Sequence, residues 1–259
     1  MDGTLYYSDR PAEGAQALLQ YLRGKGKRVG FITNNSRNTA DEIAVKLHHM
    51  GIFADPSEII SATDAIGSYL MDHYGPRTVK AVGSLSLEQA IAGKGHRVIP
   101  LSSAEQADIV VIGRDTGFTF DKLQQLVNEV ESGVTLLATN PDLYHPGPGG
   151  TRIPETGALV RAVEAITGQS VMSIGKPGPY LFHYGMKKYG VDASQCTMIG
   201  DNLETDITGG ARAGMRTIWI RSGGMGQTLI GRDSSAPIPD VIIERIGQWT
   251  LLNTSEGRG

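Results

Sequence analysis

Polar side chains that suit phosphate chemistry follow four predicted strands of this chain. They are Asp2, Thr33 with Asn34, Lys176, and the run from Asp201 to Asp206. Because the carboxyl ends of parallel strands line one rim of an open sheet, we expect these side chains to meet there. Carboxylates are the hard oxygen ligands that Mg²⁺ prefers, and a lysine with a hydroxyl offsets the charge of a transferring phosphoryl group. The pattern predicts a magnesium-dependent phosphate site.

Each motif also has a purely structural interpretation when it is taken alone. Asp2 before a glycine is a common turn signal, and the Thr33 segment can be a loop that caps the next helix. Lys176 before a proline is typical of a solvated surface residue, and Asp201 with Asp206 can charge a helix start. If all four motifs were only structural, four such coincidences would have to occur in one order at one rim of the sheet. Taken together, the motifs therefore favour the functional interpretation.

The elements that must position these residues alternate between strand and helix patterns, which is typical of an α/β fold with a largely parallel sheet. The predicted helices are Pro11 to Lys25, Thr39 to Met50, a segment through Ile66 and Leu70, Leu85 to Ala92, Phe120 to Glu131 and Thr156 to Thr167. The predicted strands are Lys27 to Thr33, Ile59-Ile60, Thr78 to Val82, Asp108 to Ile112, Thr135 to Ala138, one from Val171, Thr197 to Ile199 and Thr217 to Ile220, with further helices after Pro177 and after Asp201. The pattern indicates two α/β halves with an inserted α/β unit between them.

The connection from Asn140 to Glu155 is rich in Pro and Gly and too long for a simple loop, so we predict that it is functional. The run from Gly147 to Gly150 is interpreted as its tip.

Composition is that of a soluble globular protein, with 40% hydrophobic and 20% charged residues. The net charge of −3 comes with no block of Lys or Arg, so neither a nucleic acid polymer nor a membrane is an expected partner. A single cysteine excludes an internal disulfide and fits a reducing compartment. We therefore expect a cytoplasmic protein.

The ordered motifs resemble those of the haloacid dehalogenase superfamily, in its p-nitrophenyl phosphatase and nucleotide monophosphatase branch. The matching segments are Asp2-Gly3-Thr4-Leu5-Tyr6, Phe31 to Ser36, Gly113-Arg114-Asp115, Thr139-Asn140-Pro141-Asp142, Gly175 to Pro179 and Gly200 to Asp206. The resemblance covers nearly the whole chain. It implies a Rossmann-like parallel-sheet core over residues 1–75 and 171–259, interrupted by an α/β cap domain over 76–170.

The resemblance also implies roles for the site residues. Asp2 is the implied general acid and base, with its carbonyl on Mg²⁺. Thr33 and Asn34 bind the phosphoryl group, and Lys176 neutralises its charge. The implied metal residues are Asp2, Asp201 and Asp206, where Asp201 ligates directly and Asp206 orients metal-bound water or Lys176.

The family's nucleophilic aspartate lies two residues before Asp2, a position that would precede Met1. The true start can lie upstream, the first residues can be lacking, or the protein can be a non-catalytic relative that binds phosphate. The strand before this motif is central in the family's sheet, and without it neighbouring strands keep unpaired backbone groups. We therefore expect a longer reading frame, with an apolar strand ending in Asp just before Met1.

The implied reaction is hydrolysis of a small phosphate monoester, such as a nucleotide, sugar phosphate, phosphoglycolate or pyridoxal phosphate, through an aspartyl-phosphate. The alternative is phosphate binding without catalysis. Where the family reads Pro-Gly-x-Gly-Ala, this chain has Glu155 after Pro154, which adds bulk and negative charge. We expect Tyr144, His145 and Glu155 to help choose the leaving group. A homodimer is left open.

Overall fold

The structure is a computed structural model that describes residues 1–221 and 237–248. The chain divides into two units. The first comprises Met1–Ile32, Ile43–Ile59 and the described part of Lys176–Gly259, and the second comprises Thr33–Glu42 and Ile60–Gly175. Each unit is described by itself.

The helices and strands follow in chain order. The helices are α1 (Ala15–Gly24), α2 (Ala40–His49), α3 (Ala62–Tyr74), α4 (Leu85–Ala92), α5 (Phe120–Glu131), α6 (Thr156–Thr167), α7 (Tyr180–Tyr189) and α8 (Thr208–Arg212). The strands are β1 (Tyr6–Tyr7), β2 (Arg10–Pro11), β3 (Phe31–Thr33), β4 (Ile59–Ser61), β5 (Thr78–Val82), β6 (Arg97–Ile99), β7 (Ile109–Ile112), β8 (Thr135–Ala138), β9 (Tyr144–Pro146), β10 (Arg152–Pro154), β11 (Met172–Ser173), β12 (Thr197–Gly200), β13 (Arg216–Ile220) and β14 (Val241–Ile243). A π-helical turn covers Leu203–Ile207.

The second unit is built on a parallel sheet in the order β11-β8-β7-β5-β6. Its central strand β7 is the apolar run Ile109–Ile112, and all four residues are buried. Both faces of such a strand are covered, which is why it lacks polar alternation. Helices α5 and α6 close one face through Leu126 and Val163, which are fully buried.

The first unit holds a shorter parallel sheet in the order β12-β13-β14. Trp219 on β13 packs with Leu203 and Ile207 of the π-helical turn. This contact fixes the turn that follows β12, where the sequence places the acidic motif.

The predicted α/β class is confirmed, and most element predictions hold within a residue or two. The strand predicted from Lys27 was wrong over its first four residues, because β3 begins at Phe31 and Lys27 and Arg28 are exposed. The helix predicted from Pro11 was wrong. Pro11 lies in β2 and pairs with Tyr6, while Gly14, at φ 86°, precedes the true helix start at Ala15. Strands β1, β2, β6 and β14 and the β9–β10 hairpin were not predicted.

The expectation that the polar motifs end strands of a single sheet was also wrong. Lys176 follows β11, which pairs with β8 in the second unit's sheet, whereas Asp201 follows β12. Strand β3, which ends at Thr33, pairs with β4. Motif residues nevertheless contact one another within the first unit. Lys176 pairs with Asp206, and Thr4 pairs with Asp201, through their side chains.

The two units differ from the predicted boundaries at residues 33–42, 60–75 and 171–175, and the proposed core and cap limits stay a prediction. Helix α3 groups with the second unit because two contacts hold it there. His96 Nε2 lies 3.0 Å from the carbonyl oxygen of Gly67, and the Tyr69 hydroxyl lies 3.7 Å from Met172 Sδ. Among the residues described, no helix combines the length and apolar character that a bilayer crossing requires.

Candidate active site

Lys176 and Asp206 form a buried ion pair in the first unit. Lys176 Nζ lies 2.5 Å from Asp206 Oδ1, and the two residues are 5% and 3% exposed. The same ammonium lies 3.4 Å from the carbonyl oxygen of Ile32, the residue before Thr33. Taking either charge out of water is costly, so each stabilises the other in place.

The position of Asp206 follows from the turn after β12. Asn202 caps this turn, because its side-chain oxygen accepts from the backbone N–H groups of Glu204 and Thr205. The carboxylate of Asp206 is thereby directed back under β12, where it also accepts from the Asn202 backbone at 3.3 Å. A side chain on Gly200 would lie 2.4 Å from Asp206 Cβ, so this approach requires glycine.

Asp201 packs directly against the Asp2-Gly3-Thr4 turn. Its Oδ1 accepts a hydrogen bond from Thr4 Oγ1 at 2.7 Å. Gly3 has φ 78°, and a Cβ there would lie 2.2 Å from Asp201 Oδ2. The Trp219 indole N–H donates to the Asp201 carbonyl oxygen at 2.9 Å. Thr4 and Asp201, which are 197 positions apart in sequence, are thus held side by side, with the exposed Asp2 adjoining.

The two aspartates of this motif differ in electrostatics. Burial raises the pKa of Asp201, and the negative charge of Asp206 raises it further. Burial also opposes ionisation of Asp206, but the Lys176 ammonium, the Met1 amino group and the hydrogen bonds from Lys176 and the Asn202 backbone together hold the pKa of Asp206 below its usual range. Asp206 is therefore a compensated carboxylate, whereas the ionised form of Asp201 would be stabilised by a further cation.

The oxygens at this turn fit a magnesium ion in type. Asp201 offers a carboxylate, and Asp2 offers a carbonyl and a carboxylate, all hard donors. No group of three or more His, Cys, Asp or Glu side chains is arranged to hold a metal within residues 1–221 and 237–248. Magnesium often binds through one or two carboxylates with waters and phosphate oxygens completing its shell, so the available donors are compatible with it.

Thr33 and Asn34 lie in the second unit, in a loop braced by polar side chains. Thr33 Oγ1 accepts from the Asn35 backbone N–H at 3.2 Å. Asn34 Nδ2 lies 3.2 Å from each carboxylate oxygen of Asp142, and Asn140 Nδ2 donates to the Asn34 carbonyl at 2.8 Å. The side-chain amide and the backbone carbonyl of Asn34 are therefore both held by one short segment, residues 140–142.

Tyr144, His145 and Glu155 are brought together at the β9–β10 hairpin. His145 Nδ1 lies 2.7 Å from Glu155 Oε1, and Arg114 Nε lies 3.5 Å from the same oxygen. The Arg152 guanidinium lies over the Tyr144 ring, 4.6 Å from its centroid. The tip predicted for Gly147 to Gly150 connects the two strands of this hairpin.

The sequence assigned no role to several residues that organise these sites, namely Thr4, Arg114, Asn140, Asp142 and Trp219. Four of them lie inside or beside the quoted motifs, so adjacency was an available signal. Trp219 lies in a predicted strand, and its role needed the fold. The predicted site residues Asp2, Lys176, Asp201 and Asp206 belong to the first unit, and Thr33, Asn34, Tyr144, His145 and Glu155 to the second.

A lysine compensated by a buried aspartate, beside a second aspartate whose pKa is raised by burial, suits an α/β enzyme that handles phosphate groups. Comparison with known families agrees. The haloacid dehalogenase-like hydrolase profile matches residues 1–97, and a HAD-hydrolase-like profile matches residues 173–249. The chain belongs to the haloacid dehalogenase-like hydrolases, as the sequence predicted.

Three proteins similar to this chain are phosphatases by name. The acid sugar phosphatase of Staphylococcus aureus is 34% identical over 223 residues, covering 86% of this chain and 85% of that protein. The 4-nitrophenylphosphatase of Thermotoga maritima has a similar structure, with TM-score 0.87, 28% identity, and 97% and 94% coverage. The glycerol phosphate phosphatase of Mycobacterium tuberculosis, solved in complex with magnesium, gives TM-score 0.86 and 26% identity over 95% of this chain and 73% of that one. The prediction of a phosphoric monoester hydrolase is confirmed.

Proposed function

We propose that this enzyme is a magnesium-dependent phosphatase that hydrolyses a small phosphate monoester, with a sugar or polyol phosphate as the preferred substrate class. The observation that carries the proposal is the pairing of buried Lys176 with Asp206 beside Asp201. The names of the relatives, acid sugar phosphatase and glycerol phosphate phosphatase, support the substrate class.

In the proposed reaction, an aspartate preceding Met1 in a longer form of the chain attacks phosphorus and forms an aspartyl-phosphate. Asp2 protonates the leaving oxygen and then removes a proton from the water that hydrolyses the intermediate. Thr33 and Asn34 bind the transferring phosphoryl group, and Lys176 offsets its negative charge.

Asp206 has a positioning role in this scheme, because it holds the Lys176 ammonium through a 2.5 Å contact. Asp201 and the Asp2 carbonyl would hold the magnesium ion, which supplies positive charge to the phosphoryl oxygens when it is bound. The cytoplasmic location and the homodimer stay predictions.

The test is turnover of p-nitrophenyl phosphate with and without Mg²⁺. This chain is compared with a form extended upstream by an apolar strand that ends in Asp before Met1. We expect Mg²⁺-dependent turnover by the extended form, and its loss when the added Asp is replaced by Asn. Retained phosphate binding without turnover by the extended form would favour the non-catalytic alternative.

A further inference from the structure

A carboxylate, a guanidinium and an imidazole form a compact group in the second unit, here named the Glu155 cluster: Arg114, His145 and Glu155. A single oxygen, Glu155 Oε1, contacts Arg114 Nε at 3.5 Å and His145 Nδ1 at 2.7 Å. The Glu155 side chain is 15% exposed and that of Arg114 is 22% exposed. The group is thus shielded from solvent in part, and both side chains keep some exposed surface.

The cluster is attached to the loop that contains Thr33 and Asn34. Ser36 Oγ accepts from the Arg114 backbone N–H at 3.2 Å, and it lies 2.9 Å from Thr156 Oγ1. Thr156 directly follows Glu155, and Ser36 is two residues beyond Asn34. Ser36 and Thr156 are 2% and 0% exposed, so these bonds are protected from competition by water. The buried hydroxyl pair of Ser36 and Thr156 therefore connects Arg114 and the segment that carries Glu155 to the proposed phosphoryl-binding loop.

The charges within the cluster favour one kind of leaving group. Glu155 already compensates Arg114, and its remaining oxygen can accept hydrogen bonds from hydroxyl groups. A carboxylate or a second phosphate on the substrate would gain little from Arg114, whose charge Glu155 already offsets. The Glu155 carboxylate would also repel it, because the two charges are alike. A neutral polyol meets no such repulsion. The β9–β10 hairpin also carries Arg152, which is solvent-exposed and lies over the Tyr144 ring, where water screens its charge.

We propose that Glu155, by compensating Arg114 and contacting His145, makes this enzyme select phosphate monoesters with a neutral, hydroxyl-bearing leaving group over esters that carry a second anionic group. This inference rests on the proposed function, because it assigns the leaving-group specificity of the same reaction. Arg114 is a specificity-determining residue in this account, and Glu155 is the group that masks it.

The test compares two esters of similar size, glycerol 3-phosphate and 3-phosphoglycerate, which differ by a hydroxymethyl group against a carboxylate. Glu155→Gln keeps the shape of the side chain and removes its charge. We expect the ratio of kcat/KM for 3-phosphoglycerate over glycerol 3-phosphate to rise by about tenfold, the size of one hydrogen bond to a charged group. Each ratio is measured on one protein preparation, so partial misfolding cancels.

Two further variants separate specificity from structure. Glu105→Gln removes a carboxylate from an exposed pair with Arg97 and should leave the ratio unchanged. Adding Arg114→Gln to Glu155→Gln should abolish the gain, because the unmasked guanidinium is then absent. An unchanged ratio in Glu155→Gln, or a gain that survives without Arg114, overturns the inference.

The outcome also distinguishes this inference from the proposed function. All three variants are made in the form of the chain that turns over p-nitrophenyl phosphate. If neither form turns it over, the proposed function fails, and the same ratio is taken from dissociation constants of the two esters measured by calorimetry. A shifted binding ratio then supports the specificity assignment, and an unshifted one overturns it.

Discussion

Lys176 Nζ and Asp206 Oδ1 lie 2.5 Å apart in a pair that solvent barely reaches. Removing one partner of a buried pair leaves an uncompensated charge, which typically costs about 3–5 kcal/mol. We expect Asp206→Asn to lower the free energy of unfolding toward that range and to abolish turnover, since Lys176 loses the group that holds it.

Urea unfolding measures the first effect, and p-nitrophenyl phosphate turnover by the upstream-extended form of the chain measures the second. Asp72→Asn, at an exposed position on α3, is the matched control and should stay within about 0.5 kcal/mol of the parent. If Asp206→Asn unfolds at the same urea midpoint as this control, the pair does not stabilise the fold.

Asp201 is the carboxylate that we assign to the metal. Binding to the native state alone raises stability by RT ln(1 + [L]/Kd), so Mg²⁺ should raise the Tm of the parent protein. Asp201→Asn keeps the acceptor for the Thr4 hydroxyl but removes the charge. We expect the Mg²⁺-induced rise in Tm to disappear in this variant and EDTA to reverse it in the parent. An equal rise in both proteins would place the ion elsewhere.

Gly3 is required where the Asp2 turn meets Asp201. Its φ is 78°, and an added Cβ would lie 2.2 Å from Asp201 Oδ2. Gly51 has φ 73° with open space around it, so Gly51→Ala carries the backbone strain without the clash. We expect Gly51→Ala to cost about 1 kcal/mol and Gly3→Ala to cost about 2 kcal/mol more, with loss of turnover. Equal costs, measured by urea unfolding, would show that the contact with Asp201 adds nothing.

Short motifs identify the candidate site residues because each motif places its own chemistry near a strand end, and the roles of these residues stay a prediction. Asp201 and Asp206 follow β12 as expected, and Lys176 follows β11. The sequence does not indicate which side chains pair with each other. The contact between Lys176 and Asp206 spans 30 positions, and that between Thr4 and Asp201 spans 197. Such pairs depend on the tertiary fold.

The errors in the fold prediction have local physical causes. Proline is compatible with the first turn of a helix and also with an edge strand. Pro11 pairs with Tyr6 and therefore lies in a strand. Arg97–Ile99 is too short to show a period. The brace formed by Asn140 and Asp142 lies in a segment whose composition indicates only a loop.

Asp240 provides a pH-dependent contribution to stability. The backbone N–H of Thr217 donates to its Oδ2 at 2.7 Å and the Thr217 hydroxyl at 2.9 Å, and these bonds hold the pKa of Asp240 below its usual value. A depressed folded-state pKa stabilises the protein above the unfolded pKa, about 3.9, and this contribution is lost as the pH falls through the folded value. We expect Asp240→Asn to be less stable than the parent at pH 7 and the difference to shrink below about pH 4. A constant difference in urea midpoints across this range contradicts the assignment.

Asn140 orients the loop that carries Asn34. Its Oδ1 accepts from the Asp142 backbone at 3.0 Å, so its Nδ2 must face the Asn34 carbonyl and Thr156 Oγ1. Asn140→Ala removes the donor to this part-buried carbonyl, at a typical cost of about 1 kcal/mol, and loosens the loop. We expect KM for p-nitrophenyl phosphate to rise more than kcat falls.

The donor at this position can be tested separately from the acceptor. Asn140→Asp keeps the acceptor for the Asp142 N–H but loses the donor to the Asn34 carbonyl. Because the donor is what fixes the loop, this variant should show the same rise in KM as Asn140→Ala. A parental KM in Asn140→Asp would assign the effect to the Asp142 contact instead. Asn128→Ala, at an exposed position on α5, controls for the loss of an amide and should leave KM unchanged.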